Sequence, residues 1–160
     1  MFEFGSGYSS LYWARAARSV VSVENDAAWH RAIATRTPGN LDLQLVTDPE
    51  RFAAALEATG RTFDVIVVDG VRRAACARAA VPRLKSDGLL ILDNSDWYPK
   101  TTRWLREQDL IQVDFTGLGP FNYYTWTTSL YLQRGFRVRA LREVMPRPGI
   151  GSLRHQEDPE

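Results

Sequence analysis

Five short apolar runs, each followed by a stretch of helical spacing, constrain this chain more than any other feature. They read FEF, VVSVE, LDLQLV, FDVIVVDG and LLILDN, beginning at residues 2, 20, 41, 63 and 89. The segments after them (YSSLYWARAARS, DAAWHRAIATRT, DPERFAAALEAT, RRAACARAAVPRLKSDG and KTTRWLREQ) carry apolar residues at the interval of an amphipathic helix, the fourth broken near Pro82 and Gly88. Asp48 is placed to cap the third of these and Pro49 to begin it, with Gly60 at its end. Strands apolar on both faces must be covered on both sides, and strands separated by helices pair in parallel through right-handed crossovers. The expected fold is therefore α/β: a Rossmann-like, doubly wound, mostly parallel sheet.

The last third of the chain breaks the alternation. LIQVDFTG and TWTTSLYLQRG are two strand-like runs joined by LGPFNYY, too short to hold a crossover helix. Parallel neighbours need a dozen or more connecting residues, so this pair is expected to form a C-terminal antiparallel hairpin. RVRALREVMPRPG is ambiguous, and residues 151–160 read as a polar tail on a core domain spanning 1–150.

A chain of 160 residues with a net charge of +1 is expected to be one domain without the basic stripe of a nucleic-acid enzyme. No apolar run approaches the roughly 20 residues that span a bilayer, so no membrane partner is expected. The single cysteine, Cys76, has no internal disulfide partner and fits a reducing cytoplasm.

The first strand ends in Gly5-Ser6-Gly7. Ligands of open parallel sheets bind beyond the carboxyl ends of the strands, where the strand order reverses, and the first strand is the natural reversal point. Glycines let the backbone turn sharply against a ligand, and the helix from Tyr8 offers unpaired N–H groups to an anion. Glu24 ends the second strand, at the spacing of an acid that accepts hydrogen bonds from ribose hydroxyls. A bare tight turn beside a solvated strand end would show the same residues. If a ligand binds, two adenosine cofactors compete. A nicotinamide dinucleotide wants G-x-G-x-x-G, whereas the third glycine position here is Ser10. The chain also leaves no residues for a dehydrogenase's substrate portion.

With its C-terminal hairpin, the sequence resembles the class I S-adenosylmethionine (SAM)-dependent methyltransferases, along nearly its whole length. The stretches that carry the likeness are FEFGSGYSS, VVSVEND, LVTDPE, FDVIVVDG and RLKSDGLLILDN. The resemblance implies that Glu3, Gly5, Ser6 and Gly7 hold the methionine portion of SAM, and that Glu24, with Asn25 beside it, holds the ribose. It assigns the adenine contact to Asp48, or less well Thr47, and places Asp69 before the sulfonium and the acceptor as the catalytic residue. RLKSDG is similar to that family's turn into the fifth strand. The family usually carries helices before the first strand, and here these are missing. Apolar surface near the first helix is then expected to find cover in a homo-oligomer, most simply a two-fold dimer.

VVDG and LILDNSDW resemble one subgroup, the metal-dependent O-methyltransferases acting on catechol-like hydroxyls. That likeness implies a divalent cation such as Mg2+ on Asp69, Asp93 and Asn94, hard oxygen donors of the right kind. Asp93 and Asn94 equally suit a turn that starts the next helix. DGVRR replaces the N/D-P-P-Y/F motif of amide and amine methylation. His30, His155 and Cys76 read as surface, tail and core residues. Trp97, Tyr98, Phe121, Tyr123, Tyr124 and Trp126 either line an acceptor pocket or pack the hairpin onto the core. The expected function is methyl transfer from SAM to a small-molecule acceptor. A non-catalytic binding or scaffolding protein of the same fold is the alternative, and an NAD-dependent oxidoreductase the third.

Overall fold

The structure is a computed structural model describing residues 1–119 and 123–137. Phe121, most of RVRALREVMPRPG and the tail lie outside the described residues. Seven strands form one sheet in the order β3-β2-β1-β4-β5-β7-β6. The first five, β1 (Phe2–Phe4), β2 (Val20–Glu24), β3 (Leu41–Leu45), β4 (Phe63–Val68) and β5 (Leu84–Leu92), pair in parallel. The last two, β6 (Ile111–Leu118) and β7 (Thr125–Leu132), form an antiparallel hairpin, and β7 also runs antiparallel to β5. The strand order reverses at β1, which sits between β2 and β4. The glycine turn therefore opens at the position where ligands of such sheets bind.

Among the described residues, five α-helices connect the strands: α1 (Tyr8–Ala16), α2 (Ala27–Ala34), α3 (Pro49–Ala58), α4 (Arg73–Ala80) and α5 (Pro99–Arg106). Asp48 caps α3 as expected, its Oδ1 accepting from the Glu50 N–H at 2.9 Å with Pro49 at the first helical position. Asp26 does the same for α2, accepting from the Trp29 N–H at 2.8 Å. The fourth helix breaks near Pro82, as its sequence leads one to expect, and does not resume before Gly88. It ends at Ala80, a single 3₁₀ turn follows at Val81–Arg83, and Leu84 already pairs with Phe63. Pro82 has no N–H to continue the ladder, and the residues from Leu84 to Gly88 join β5 through an irregular register.

The principal core joins the sheet to α3, α4 and α5. Phe2, Phe4, Phe52 and Phe63 are all fully or nearly fully buried, and the Phe2–Phe4 and Phe2–Phe63 rings meet edge to face at 4.8 and 5.5 Å. Each such phenylalanine contributes about 1.5–3 kcal/mol through burial, enough to fix β1 between its neighbours. A smaller cluster of Ala14, Val20 and Leu41 lies under α1. Helix α1 buries only Ser10 and Ala14 and leaves Tyr8 and Tyr12 more than 60% exposed.

Candidate functional site

The carboxyl ends of β1, β2 and β4 converge on a cleft of about 310 Å³, lined by Gly5, Ser6, Glu24, Asn25, Trp29, Asp69, Gly70, Val71 and Arg73. Gly5 has φ +90°, and a Cβ there would lie 2.7 Å from the Asp69 carbonyl carbon and the Gly70 nitrogen. Only glycine fits that approach. Gly7 differs, because its backbone is extended and its Cβ would meet nothing closer than 3.8 Å. Its missing side chain leaves space and relieves no backbone strain.

Glu3 lies beneath the turn instead of lining the cleft. It is fully buried; Ser9 donates to Oε1 at 2.8 Å, while Ser22 at 2.8 Å and Ser10 both donate to Oε2. Burial raises its pKa, and the serine hydrogen bonds oppose that rise. Ser10, at the third glycine position, also accepts from the Gly7 N–H at 3.0 Å. The serine thus ties the turn to Glu3, a task glycine has no side chain to perform.

Glu24 is 5% exposed at the end of β2. Oε1 accepts from the Asn25 and Asp26 N–H groups, both at 2.8 Å. Oε2 accepts from the Ser6 N–H and the Ser6 hydroxyl, both at 3.0 Å. A carboxylate has about four lone-pair positions, and here the protein fills them all. Of the four donors only the Ser6 hydroxyl can swing away without moving backbone.

Asp69 is brought beside Asp93 and Asn94, as the sequence leads one to expect. Burial pushes its pKa up to about 7, the Asp93 charge adds to the rise, and Arg73 works against it. The side chain is still 40% exposed, so the carboxyl sits at the mouth of the cleft, desolvated on one side only. Asp48 does not line the cleft; its carboxylate serves the α3 cap.

Two cleft residues carry no motif in the sequence. Trp29 donates from Nε1 to the Ser6 carbonyl at 2.8 Å and so braces the glycine turn from α2. Arg73 opens α4 and places its guanidinium among the carboxyl ends of β4 and β5. Its Nη2 donates to Asp69 Oδ1 at 2.6 Å and to Asn94 Oδ1 at 3.0 Å. Asp93 Oδ1 turns away to the Thr128 hydroxyl at 2.5 Å. The residues present do not fit a divalent ion, because a permanent cation already stands between two of the three donors. Among the described residues, no group of three or more His, Cys, Asp or Glu side chains is arranged to hold a metal.

Trp97 and Tyr124 face each other at 6.3 Å, and Tyr124 and Trp126 at 5.9 Å, beyond the end of β5. Burial pushes the Cys76 thiol up to about 12, which leaves it inert as a nucleophile. A larger cavity, about 620 Å³, opens between α5 and the hairpin and includes Ser95, Arg103, Arg106 and Asp114 in its lining. None of the residues predicted for the site lines it, so the smaller cleft at the strand reversal is the candidate site.

Solved structures of the same fold come from several enzymes. The O-methyltransferase TomG of Streptomyces achromogenes, solved with SAM, is 17% identical with a TM-score of 0.68, over 82% of this chain and 71% of that one. Spermidine synthase from Thermotoga maritima is 14% identical with a TM-score of 0.66, over 85% of this chain. The chain spans 55% of that synthase's length. The N-methyltransferase NodS of Bradyrhizobium japonicum is 14% identical with a TM-score of 0.58, over 82% and 84% of the two chains. No curated protein sequence matches the chain. Among the described residues, no helix is long and apolar enough to cross a membrane. A family described as a methyltransferase domain matches residues 2–95, from the first strand through the turn after the fifth. With that match over more than half of its length, the chain belongs to this methyltransferase domain family and carries the class I SAM-dependent methyltransferase fold.

Proposed function

We propose that the chain binds SAM in the cleft at the strand reversal and transfers its methyl group to a small-molecule acceptor. The observation that carries this reading is the joint placement of Gly5, Glu24 and Asp69 around one cleft. Gly5 lets the turn close against the Asp69–Gly70 peptide at the cleft wall, Gly7 lies outside the cleft lining, and Asn25 and Trp29 flank the ribose acid on the α2 side. Glu24 takes one ribose hydroxyl when the Ser6 hydroxyl rotates off Oε2. When bound, SAM supplies an electrophilic methyl group on a positively charged sulfur.

The chain's own contribution is charge and proton handling. Asp69 places negative charge at the cleft mouth, and a carboxyl near pKa 7 is suited to accept an acceptor's proton at neutral pH. Trp97, Tyr124 and Trp126 offer flat apolar surface to an acceptor beyond β5. An aromatic or otherwise apolar acceptor bearing a hydroxyl suits that wall best.

One observation favours a second reading, a binding or scaffolding protein without turnover: Glu24 has all its acceptor positions filled by protein. Calorimetry with SAM, its demethylated product and NAD tests the cofactor, and formation of the demethylated product from SAM in the presence of a hydroxyl-bearing aromatic acceptor separates turnover from binding alone. SAM and its product binding at micromolar strength, with no NAD heat, supports the methyltransferase reading when turnover accompanies it. Absence of SAM heat in the folded protein sinks it.

A further inference from the structure

The first side chain of α4 makes an unusual set of contacts. Arg73 has five N–H donors, and every one has an acceptor at the carboxyl edge of the sheet. Nε donates to the Asp93 carbonyl at 3.2 Å. Nη1 donates to the Gly70 carbonyl at 2.9 Å and the Tyr98 hydroxyl at 3.3 Å. Nη2 donates to Asp69 and Asn94, at 2.6 and 3.0 Å. The guanidinium carbon stands 5.0 Å from the Tyr98 ring centroid, and the side chain is 12% exposed.

We propose that Arg73 is a built-in cation occupying the place where a divalent ion would join Asp69, Asp93 and Asn94, so that this site works without added metal. The guanidinium cannot lose its proton, so it repels a metal ion at any pH where the fold survives. It also fixes what a metal would fix. Its forked donors tie the end of β4 (Asp69, Gly70) to the end of β5 (Asp93, Asn94) and to Tyr98 ahead of α5. Arg73 is in this sense a positioning residue: it aims the Asp69 carboxylate and itself reacts with nothing. The inference concerns the strand edge alone and holds whether or not the cleft takes SAM.

The test is a Mn2+ titration of the full chain followed by electron paramagnetic resonance. The wild type is expected to show no saturable binding up to ~1 mM, the weak end of protein carboxylate sites. Arg73→Ser removes the cation and leaves the oxygens, and should bind Mn2+ at least tenfold more tightly than the wild type. Adding Asp93→Ala to that variant should abolish the gain. Arg73→Lys keeps the charge and should stay blind to Mn2+, a distinction that a purely architectural arginine would not produce. Should Arg73→Ser fail to fold, Arg73→Gln, which keeps an amide donor, takes its place. Saturable Mn2+ binding by the wild type that Asp93→Ala removes would overturn the proposal. So would a folded Arg73→Ser or Arg73→Gln protein that gains no binding.

Discussion

Gly5 packs its α-carbon against the Asp69–Gly70 peptide so closely that a methyl group there would sit 2.7 Å from three backbone atoms. The glycine turn after β1 and the Asp-Gly turn after β4 are thus one packed unit. Gly5→Ala adds an overpacked methyl and a strained left-handed residue, each costing about 1–3 kcal/mol. Urea unfolding should show a loss of about 2–6 kcal/mol on that basis. Gly7→Ala should lose less than about 1 kcal/mol, since its methyl meets only ordinary contacts. Equal losses at the two positions would show that the turn is not packed as described.

Glu24 and the Ser6 hydroxyl make opposite predictions for cofactor affinity. Glu24→Ala removes the ribose acceptor and should weaken SAM binding by about 1.5–3 kcal/mol, the range for hydrogen bonds to a charged group. Ser6→Ala removes a competitor for Oε2, so SAM affinity should hold or tighten. Calorimetric titration of both variants decides this. A Ser6→Ala loss as large as that of Glu24→Ala would make the serine hydroxyl itself a contact.

Asp69 links stability to pH. Its pKa is about 7 in the folded chain and about 3.9 in an unfolded one, so the folded state holds a proton that the unfolded state has released. The stabilisation is complete below about pH 4 and is lost as pH rises through about 7. The urea midpoint of the wild type should therefore fall, relative to that of Asp69→Asn, between those limits. A constant difference across that window would mean Asp69 titrates normally.

Helix α1 exposes Tyr8 and Tyr12, 62% and 63% accessible, on the same side as the half-exposed Trp29, which Tyr8 meets edge to face at 6.0 Å. We expect this aromatic face to join two copies of the chain. Sedimentation at about 10–100 μM should show a dimer, and Tyr8→Ser with Tyr12→Ser should return it to monomer. A wild type that sediments as a monomer throughout that range contradicts the expectation.

The alternation of apolar runs and helical segments was sufficient to read the order of elements, because buried parallel strands and amphipathic helices leave local, periodic marks. Gly5, Glu24 and Asp69 were legible for the same reason: each sits at the end of a strand the pattern defines. The break near Pro82 was legible as well, but the start of β5 at Leu84 rests on its pairing with Phe63, a partner no local window contains. Whether Glu24 faces solvent or the Ser6 backbone, and whether Glu3 lines the cleft or braces its floor, depended on how three separate turns pack together. Arg73 shows the limit most clearly. Asp69, Asp93 and Asn94 read as metal ligands in one dimension because their side chains are oxygen donors at adjacent strand ends. Only the folded chain brings an arginine from the next helix among them, because electrostatic neighbours are set by distance in space, and sequence separation says little about that.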